Sequence, residues 1–412
     1  MKNNKLKQVL FAIFIVAVFL RLWAVFSQEE IKKMPERDAA GYDEMAVNLA
    51  SGHGFSELTD GGSMRPVLYR TPLYPVFLSF IYSIFGHSYI VVKIIQAVLG
   101  ALFCIIIFYI TYIIYEDTII GIIAAAFTAL YKPFVSGFFY YGGPALLLSE
   151  YFYMFILGLT ILITIHFIKD GAMKIGALSG IFIGLTILTR AEFVLFPILL
   201  AVYLFYIAGL SVRVFLKKYF IIYLFITLTM ISWVVRNYVV CKEFIPLTTM
   251  GGAAFLLGND SLARGGYIGE KNATFVINNV LKNLENLSDN QKSKIFFKAG
   301  VKELINNPKR IPKLFVKKIL VHWAPFEEGF RVFNPFYAFI FMLGSVGILF
   351  FRRRVILENI LLIVLLSTTL TAMLVYGEPR YRYPYEPYLI IFVALAISEV
   401  IKKMKGHMIC KK

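Results

Sequence analysis

One aspartate at the head of a helical pattern and four arginines spread along the chain are the residues best placed to do chemistry. Asp38 opens the stretch DAAGYDEMAVNLA, in which Tyr42, Met45, Ala46 and Leu49 share one helical face. Tyr42 lies four residues on and so neighbours Asp38, whereas Asp43 and Glu44 point away and read as a solvated face. A carboxylate at Asp38 has two readings. It is an N-cap, a common use of Asp at a helix start, or a base that accepts a proton from a hydroxyl or amine. His53, between Gly52 and Gly54, has no second His or Cys nearby and reads as a loop residue. Glu150 sits in ALLLSEYFY, apolar company in which an acid is costly unless it is paired or functional. The arginines are Arg70 in LYRTPLYP, Arg236 beside Asn237 in WVVRNYVV, and Arg380 with Arg382 in GEPRYRYPYEPY. Headgroup anchoring is their plainer role. Binding a phosphate through the planar guanidinium fork is the functional one. The tyrosines from Tyr381 to Tyr388 read as an interfacial aromatic belt.

The elements that must position these residues are apolar helices. Of 412 residues, 59% are hydrophobic and only 16% charged, well below the quarter or so typical of a soluble domain. The apolar residues come in long blocks, which predicts an all-α polytopic membrane protein. About ten transmembrane helices are expected, near 9–26, 89–115, 118–140, 148–168, 175–190, 193–210, 218–236, 334–351, 355–376 and 385–401, at roughly 20 residues per crossing. The first reads as an uncleaved signal anchor, because no small-residue cleavage site follows it. The spans hold few ionisable groups; Arg21 and Lys93 read as span-end residues that snorkel.

The net charge is +17. In a membrane protein this excess belongs to cytoplasmic loops and anionic headgroups, and nucleic acid is not an expected partner. Alternate connections carry Lys169 and Lys174, Arg213 with Lys217 and Lys218, and Arg352 to Arg354, and the tail carries five lysines from Lys402 to Lys412. Of that set only the Glu116–Asp117 turn lacks a basic residue. The positive-inside rule therefore predicts cytoplasmic N- and C-termini in a multi-pass cell-membrane protein. Two long loops, about 27–88 and 237–333, then face outward and hold surface amphipathic helices. Three modules follow: 1–236, a transmembrane catalytic module with the first outer loop at about 27–88; 237–333, an outer-loop subdomain; and 334–412, C-terminal transmembrane helices with a basic cytoplasmic tail. Cys104, Cys241 and Cys410 fall at three depths and predict no disulfide or metal cluster. All four arginines named above fall on the side that normally avoids basic residues, which an anionic ligand such as a lipid phosphate would explain.

At these residues the chain resembles the polyprenol-phosphate-dependent membrane glycosyltransferases of the GT-C superfold, in the group that includes protein O-mannosyltransferases and lipid A aminoarabinose transferases. The resemblance runs in order through Asp38 with Tyr42, Asn48 to Phe55, Arg70-Thr-Pro-Leu-Tyr-Pro75, Glu150, Leu188-Thr189-Arg190, Trp233 to Tyr238, Gly251-Gly252, Gly258-Asn259 and Arg380-Tyr381-Arg382 with Pro384. It implies a GT-C fold and inverting transfer of a sugar from a polyprenyl-phosphate donor to a lipid, glycan or protein acceptor on the outer side. Asp38 would be the base or acceptor-orienting group. Tyr42, Arg70, Glu150, Arg236, Asn237, Arg380 and Arg382 would bind substrate, with the arginines stabilising the departing phosphate. Many relatives carry a second acid directly after the first-loop aspartate; here Ala39 follows, and Ser232 stands where proline is common. With Glu44 too far round the helix to replace that second acid, neither a metal nor any other cofactor is expected. Two other readings remain: an outer-surface polymerase or ligase of lipid-linked glycans, in which Asp38 has no chemical role, and a lipid-linked sugar flippase, which requires polar residues deep between spans.

Overall fold

The computed structural model describes residues 3–27, 36–59, 61–137, 143–207, 211–282, 284, 287–327 and 331–409. Cys410 and the start of the first long loop lie outside them. The chain opens with α1 (Asn3–Ser27). The first long loop then builds α2 (Asp38–Ala50), the hairpin β1 (Ser56–Leu58) and β2 (Met64–Pro66), and α3 (Leu73–Phe85). The hairpin is antiparallel, with Ser56 opposite Pro66. Next come α4 (Tyr89–Tyr115), α5 (Thr118–Leu130), α6 (Lys132–Ser136), α7 (Ser149–Asp170), α8 (Met173–Thr189), α9 (Leu195–Val202) and α10 (Val212–Cys241). The second long loop forms α11 (Met250–Asn259), α12 (Glu270–Leu281), α13 (Asp289–Asn306), α14 (Ile311–Trp323) and the short strands β3 (Phe326–Glu327) and β4 (Val332–Phe333). The chain returns through α15 (Pro335–Val346), α16 (Ile356–Leu374), α17 (Pro379–Arg382) and α18 (Glu386–Ile409).

The protein is a multi-pass, almost wholly helical membrane protein. Among the described residues, Asn4–Ser27, Tyr89–Tyr115, Ser149–Asp170, Tyr219–Cys241 and Ile356–Leu374 are long and apolar enough to cross a bilayer. Four expected spans are shorter apolar helices instead: Thr118–Leu130, Met173–Thr189, Ala191–Tyr206 and Pro335–Phe351. The last expected span falls in α18, which is the centre of the bundle. Every residue from Tyr388 to Ala396 is buried, as befits a helix apolar on all sides. Lipid is as apolar as leucine, so such packing is held by dispersion and by polar bonds between helices rather than by exclusion of water.

Those polar bonds correct two expectations. Arg21 does not snorkel. It is fully buried, donating from Nε to Tyr151 Oη (2.7 Å) and from its terminal nitrogens to the carbonyls of Ala17, Thr128 and Ala129, so that α1, α5 and α7 are cross-linked. Lys93 is also buried. The tyrosines at the start of α18 are not an interfacial belt either. Tyr383, Tyr385 and Tyr388 are buried; Tyr383 donates to the Pro133 carbonyl, and Tyr385 bonds Tyr153 Oη at 2.7 Å.

The basic connections do gather at one end of the bundle. The Glu116–Asp117 turn pairs with Lys169 (2.8 Å) and Lys402 (3.0 Å), and Arg353 donates to the Tyr115 carbonyl. Glu358, buried at the start of α16, accepts from Tyr115 Oη and from the backbone N–H groups of Arg353 and Arg354. Cys104 and Cys241 are free thiols.

Candidate active site

The segment 67–71 is tied down residue by residue, and this fixes Arg70. Val67 N–H donates to the Phe55 carbonyl, and the Leu68 carbonyl accepts from Thr249 N–H. Tyr69 Oη donates to Glu57 (2.5 Å), and Thr71 Oγ1 donates to the Thr189 carbonyl (2.7 Å). Arg236 supports this segment from α10, donating to the carbonyls of Val67 (2.9 Å) and Phe55 (2.7 Å) while lying over the rings of Phe55 and Trp233. Asn237 donates to the Ile245 carbonyl and accepts from Arg236.

Asp38 is the first residue of α2, and the cap position belongs to Arg37. The N-cap reading of Asp38 therefore fails. Its carboxylate instead accepts from two guanidiniums, with Oδ1 bonded to Arg70 (2.7 Å) and Oδ2 to Arg380 (2.7 Å). Partial burial works against ionisation, but Arg380 and then Arg70 outweigh it and hold the carboxyl at about 2. Tyr42, one turn on, places its ring under Arg70 at 4.5 Å and donates its hydroxyl to Ser149 (3.3 Å).

Glu150 enters from α7. The segment before it is pinned by Gln96, which donates to the carbonyls of Pro144 and Leu146 and accepts from Tyr74 Oη. Its side chain is 1% exposed and bonds both Arg380 and Arg190, the latter at 3.0 Å. Arg190, where α8 gives way to a 3-10 turn, also pairs with Glu192 (3.1 Å) and lies over the ring of Tyr381. Burial works against the charge of Arg380, and the carboxylates of Glu150 and Asp38 more than restore it.

The result is an alternating chain: Arg70, Asp38, Arg380, Glu150, Arg190, Glu192. Three guanidiniums balance three carboxylates, so each buried charge has an opposite neighbour. Two polar atoms within it are buried without a hydrogen-bond partner, Arg70 Nε and Glu150 Oε2. Buried polar groups are rarely left unbonded, so these mark places where a ligand can bond.

The structure thus brings together Asp38, Tyr42, Arg70, Glu150 and Arg380, which lie far apart in sequence. It does not bring in Arg236, Asn237 or Arg382. Arg236 and Asn237 hold loops from behind, as described. Arg382 is fully buried, pairing with Glu386 (3.2 Å), donating to the carbonyls of His322 and Ala324 and stacking on Tyr337. Asp43 is no solvated residue. It is buried and accepts from Tyr82 Oη (2.6 Å) and Tyr89 Oη (3.1 Å) and bonds His87 Nε2 (2.9 Å), which docks α2 onto α3 and α4. Glu44 accepts from Leu58 N–H. Sequence reasoning missed Glu192 and gave Arg190 no role. Their signal was a charged pair, Arg-Ala-Glu, at the edge of an apolar block.

The fold that positions these residues is a known one. The family described as dolichyl-phosphate-mannose-protein mannosyltransferase matches residues 69–236. Two solved structures of an oligosaccharyltransferase from Archaeoglobus fulgidus share the fold. The apo form superposes with a TM-score of 0.60 at 17% identity, covering 100% of this chain and 52% of that one. The form in complex with an inhibitory peptide and a dolichol-phosphate gives 0.54 at 16% identity, with the same coverage. The chain therefore spans about half the length of these structures. No curated protein matches its sequence. The chain has the GT-C fold that its sequence resembles, and the segment carrying Arg70, Glu150 and Arg190 has the sequence pattern of the mannosyltransferase family.

Proposed function

We propose that the protein is a membrane glycosyltransferase that transfers a sugar, hexosyl or pentosyl, from a polyprenyl-phosphate donor to an acceptor, with inversion. The observation that carries this reading is the convergence of Arg70 and Arg380 on the single carboxylate of Asp38. Both arginines present donors suited to a phosphate, and both are held by an acid that a phosphate can replace. While both guanidiniums sit on it, Asp38 is a weak base. Donor binding draws an arginine onto the phosphate and frees a carboxylate oxygen. That oxygen takes the proton of the acceptor hydroxyl or amine as its heteroatom bonds the sugar's anomeric carbon. The bond from that carbon to the phosphate oxygen breaks, and its electron pair leaves with the polyprenyl phosphate, stabilised by the arginines.

The fold relative in complex with an inhibitory peptide and a dolichol-phosphate supports a lipid-phosphate donor and a separate acceptor. The acceptor class is a lipid, glycan or protein. We place the site outside the cell and both termini in the cytoplasm, on the strength of the basic loops gathered at the opposite end. An impermeant thiol reagent added from outside should label Cys241 and not Cys410. No metal is needed in this scheme, because both oxygens of Asp38 already face guanidiniums rather than further carboxylates. The competing polymerase or ligase reading gives Asp38 no chemical role. The flippase reading asks for deep, movable polar groups, and the deep Arg21 is locked to backbone carbonyls.

The test is turnover of a labelled polyprenyl-phosphate sugar by protein in lipid, comparing wild type with Asp38→Asn and Arg380→Ala. Wild-type turnover by Asp38→Asn would refute the base. Failure of the wild type to bind any polyprenyl-linked donor would refute the transferase.

A further inference from the structure

Three tyrosines that the mechanism does not use form a train of rings leading away from the charged chain. Tyr381 follows Arg380 and lies under Arg190, 5.2 Å from its guanidinium. Tyr376 is next, with ring centroids 5.9 Å apart and the two hydroxyls in contact at 3.2 Å. Tyr267 completes the train, 5.6 Å from Tyr376 and tilted by 45°. Exposure rises along it: Tyr381 and Tyr376 are half-buried, and Tyr267 is 44% exposed. Burial first, and then the charges of Glu270, Asp38 and Glu378, hold the Tyr267 hydroxyl above its ordinary pKa, which places that ring within the field of the candidate base.

The train is built rather than incidental. Tyr267 comes from the second long loop and Tyr376 from the end of α16, and the two segments are stapled together. Gly377 N–H donates to the Gly265 carbonyl at 2.8 Å. A Cβ on Gly377 would lie 2.1 Å from the Lys318 carbonyl oxygen, and one on Gly258 would lie 1.6 Å from that of Val375, so both positions require glycine. Lys318, buried in α14, closes the joint by donating to Asn259 Oδ1 (2.8 Å) and the Met373 carbonyl (2.9 Å).

We propose that Tyr381, Tyr376 and Tyr267 form the acceptor subsite, and that the acceptor is a carbohydrate chain whose sugar rings stack on these tyrosines and lead its terminal hydroxyl to Asp38. The C–H face of a sugar ring carries partial positive charge and meets the negative face of an aromatic ring. Phenol and carboxylate groups at the margins accept and donate hydrogen bonds to sugar hydroxyls. An alkyl chain would leave these polar groups unbonded. A phosphorylated acceptor would meet the like charge of Glu270, which acts on Tyr267, so the glycan is uncharged along the stretch that covers the train.

This proposal rests on the transferase reading, and its test separates the two. Full-length protein in lipid nanodiscs is presented with immobilised neutral oligosaccharides (glucans, mannans and galactans) and, in parallel, with serine- and threonine-containing peptides. Undecaprenyl phosphate binding is measured on the same samples. The expected result is glycan binding that falls about tenfold in Tyr267→Ala and stays within about threefold in Tyr267→Phe, which keeps the ring face. Undecaprenyl phosphate binding should be unchanged in both variants. No binding to any oligosaccharide, preference for peptides, or equal binding by Tyr267→Ala would overturn the proposal. Tyrosine-dependent glycan binding by a protein that binds no undecaprenyl phosphate would leave the subsite standing and bring down the transferase reading.

Discussion

Arg380→Ala should uncouple two consequences that the charged chain ties to one residue. Arg380 bridges Asp38 and Glu150. When it is removed, Asp38 keeps Arg70 and, with a side chain 40% exposed, is rescued by water. Glu150 has no such recourse at 1% exposure and keeps only Arg190. Removing one partner of a buried pair costs about 3–5 kcal/mol when no other remains. With Arg190 still at 3.0 Å, about 2 kcal/mol is expected, a fall of several degrees in melting temperature. Loss of a charge-assisted bond to the donor phosphate should cost about 1.5–3 kcal/mol, roughly 10- to 100-fold in affinity. The double variant Arg380→Ala with Glu150→Gln separates the two. Neutralising the orphaned acid should return most of the stability, and binding of undecaprenyl phosphate should stay weak. The assays are thermal unfolding in detergent and lipid-phosphate binding by calorimetry. If the double variant recovers binding together with stability, Arg380 is only a structural strut and the phosphate assignment is wrong. If Arg380→Ala melts and binds as wild type does, the whole charged chain has been misread.

Asp38→Asn should lower turnover about 10²- to 10⁴-fold while undecaprenyl phosphate binding changes by only a few fold, measured by initial rates and by titration. Because the Asp38 carboxyl is depressed to about 2, its contribution to stability is complete above its unfolded value near 4 and is lost as pH falls through about 2. The difference in melting temperature between wild type and Asp38→Asn should therefore be flat from pH 5 to 8. Lys318 gives a slope of the same sign in a higher window. Burial first, and then Arg310, lowers it to about 7, so the unfolded chain binds a proton that the folded chain does not between about 7 and 10. Stability should rise with pH across that window, and Lys318→Met should remove the slope, as read by thermal unfolding at a series of pH values. A chelator should leave turnover of the labelled donor unchanged.

What could be read from the sequence, and what could not, divides along physical lines. Apolar blocks of membrane length and the bias of basic loops depend on local composition, so the all-helical membrane class and the cluster of basic residues about the Glu116–Asp117 turn were legible. The span count was less so, because a helix buried among others, such as α5 or α8, need not be long or apolar enough to cross alone. Asp38, Arg70, Glu150 and Arg380 could be picked out as polar residues at the margins of apolar blocks. Their pairing could not, because it joins residues as far as 342 positions apart, on α2, α7 and α17. For the same reason Arg236, Arg380 and Arg382 looked alike in sequence. All three sit at helix ends beside aromatic residues. Arg236 and Arg382 donate to backbone carbonyls, and Arg380 bridges Asp38 and Glu150.

The missing second acid sharpens this point. With Ala39 after Asp38, the first loop lacks a partner carboxylate, and nothing local supplies one. In the fold, α7 brings Glu150 to the far side of Arg380, so the two acids share a guanidinium instead of a helix turn. A shared cation and a shared metal have different chemical consequences. A metal would hold both acids deprotonated and unavailable. In the proposed transfer, a guanidinium that moves to the phosphate would release Asp38 as a base when the donor arrives, and would leave Glu150 on Arg190 to keep the buried charge paired. On that proposal, the alternation of acids and arginines beyond that point is a reserve of partners that would allow Arg380 to let go.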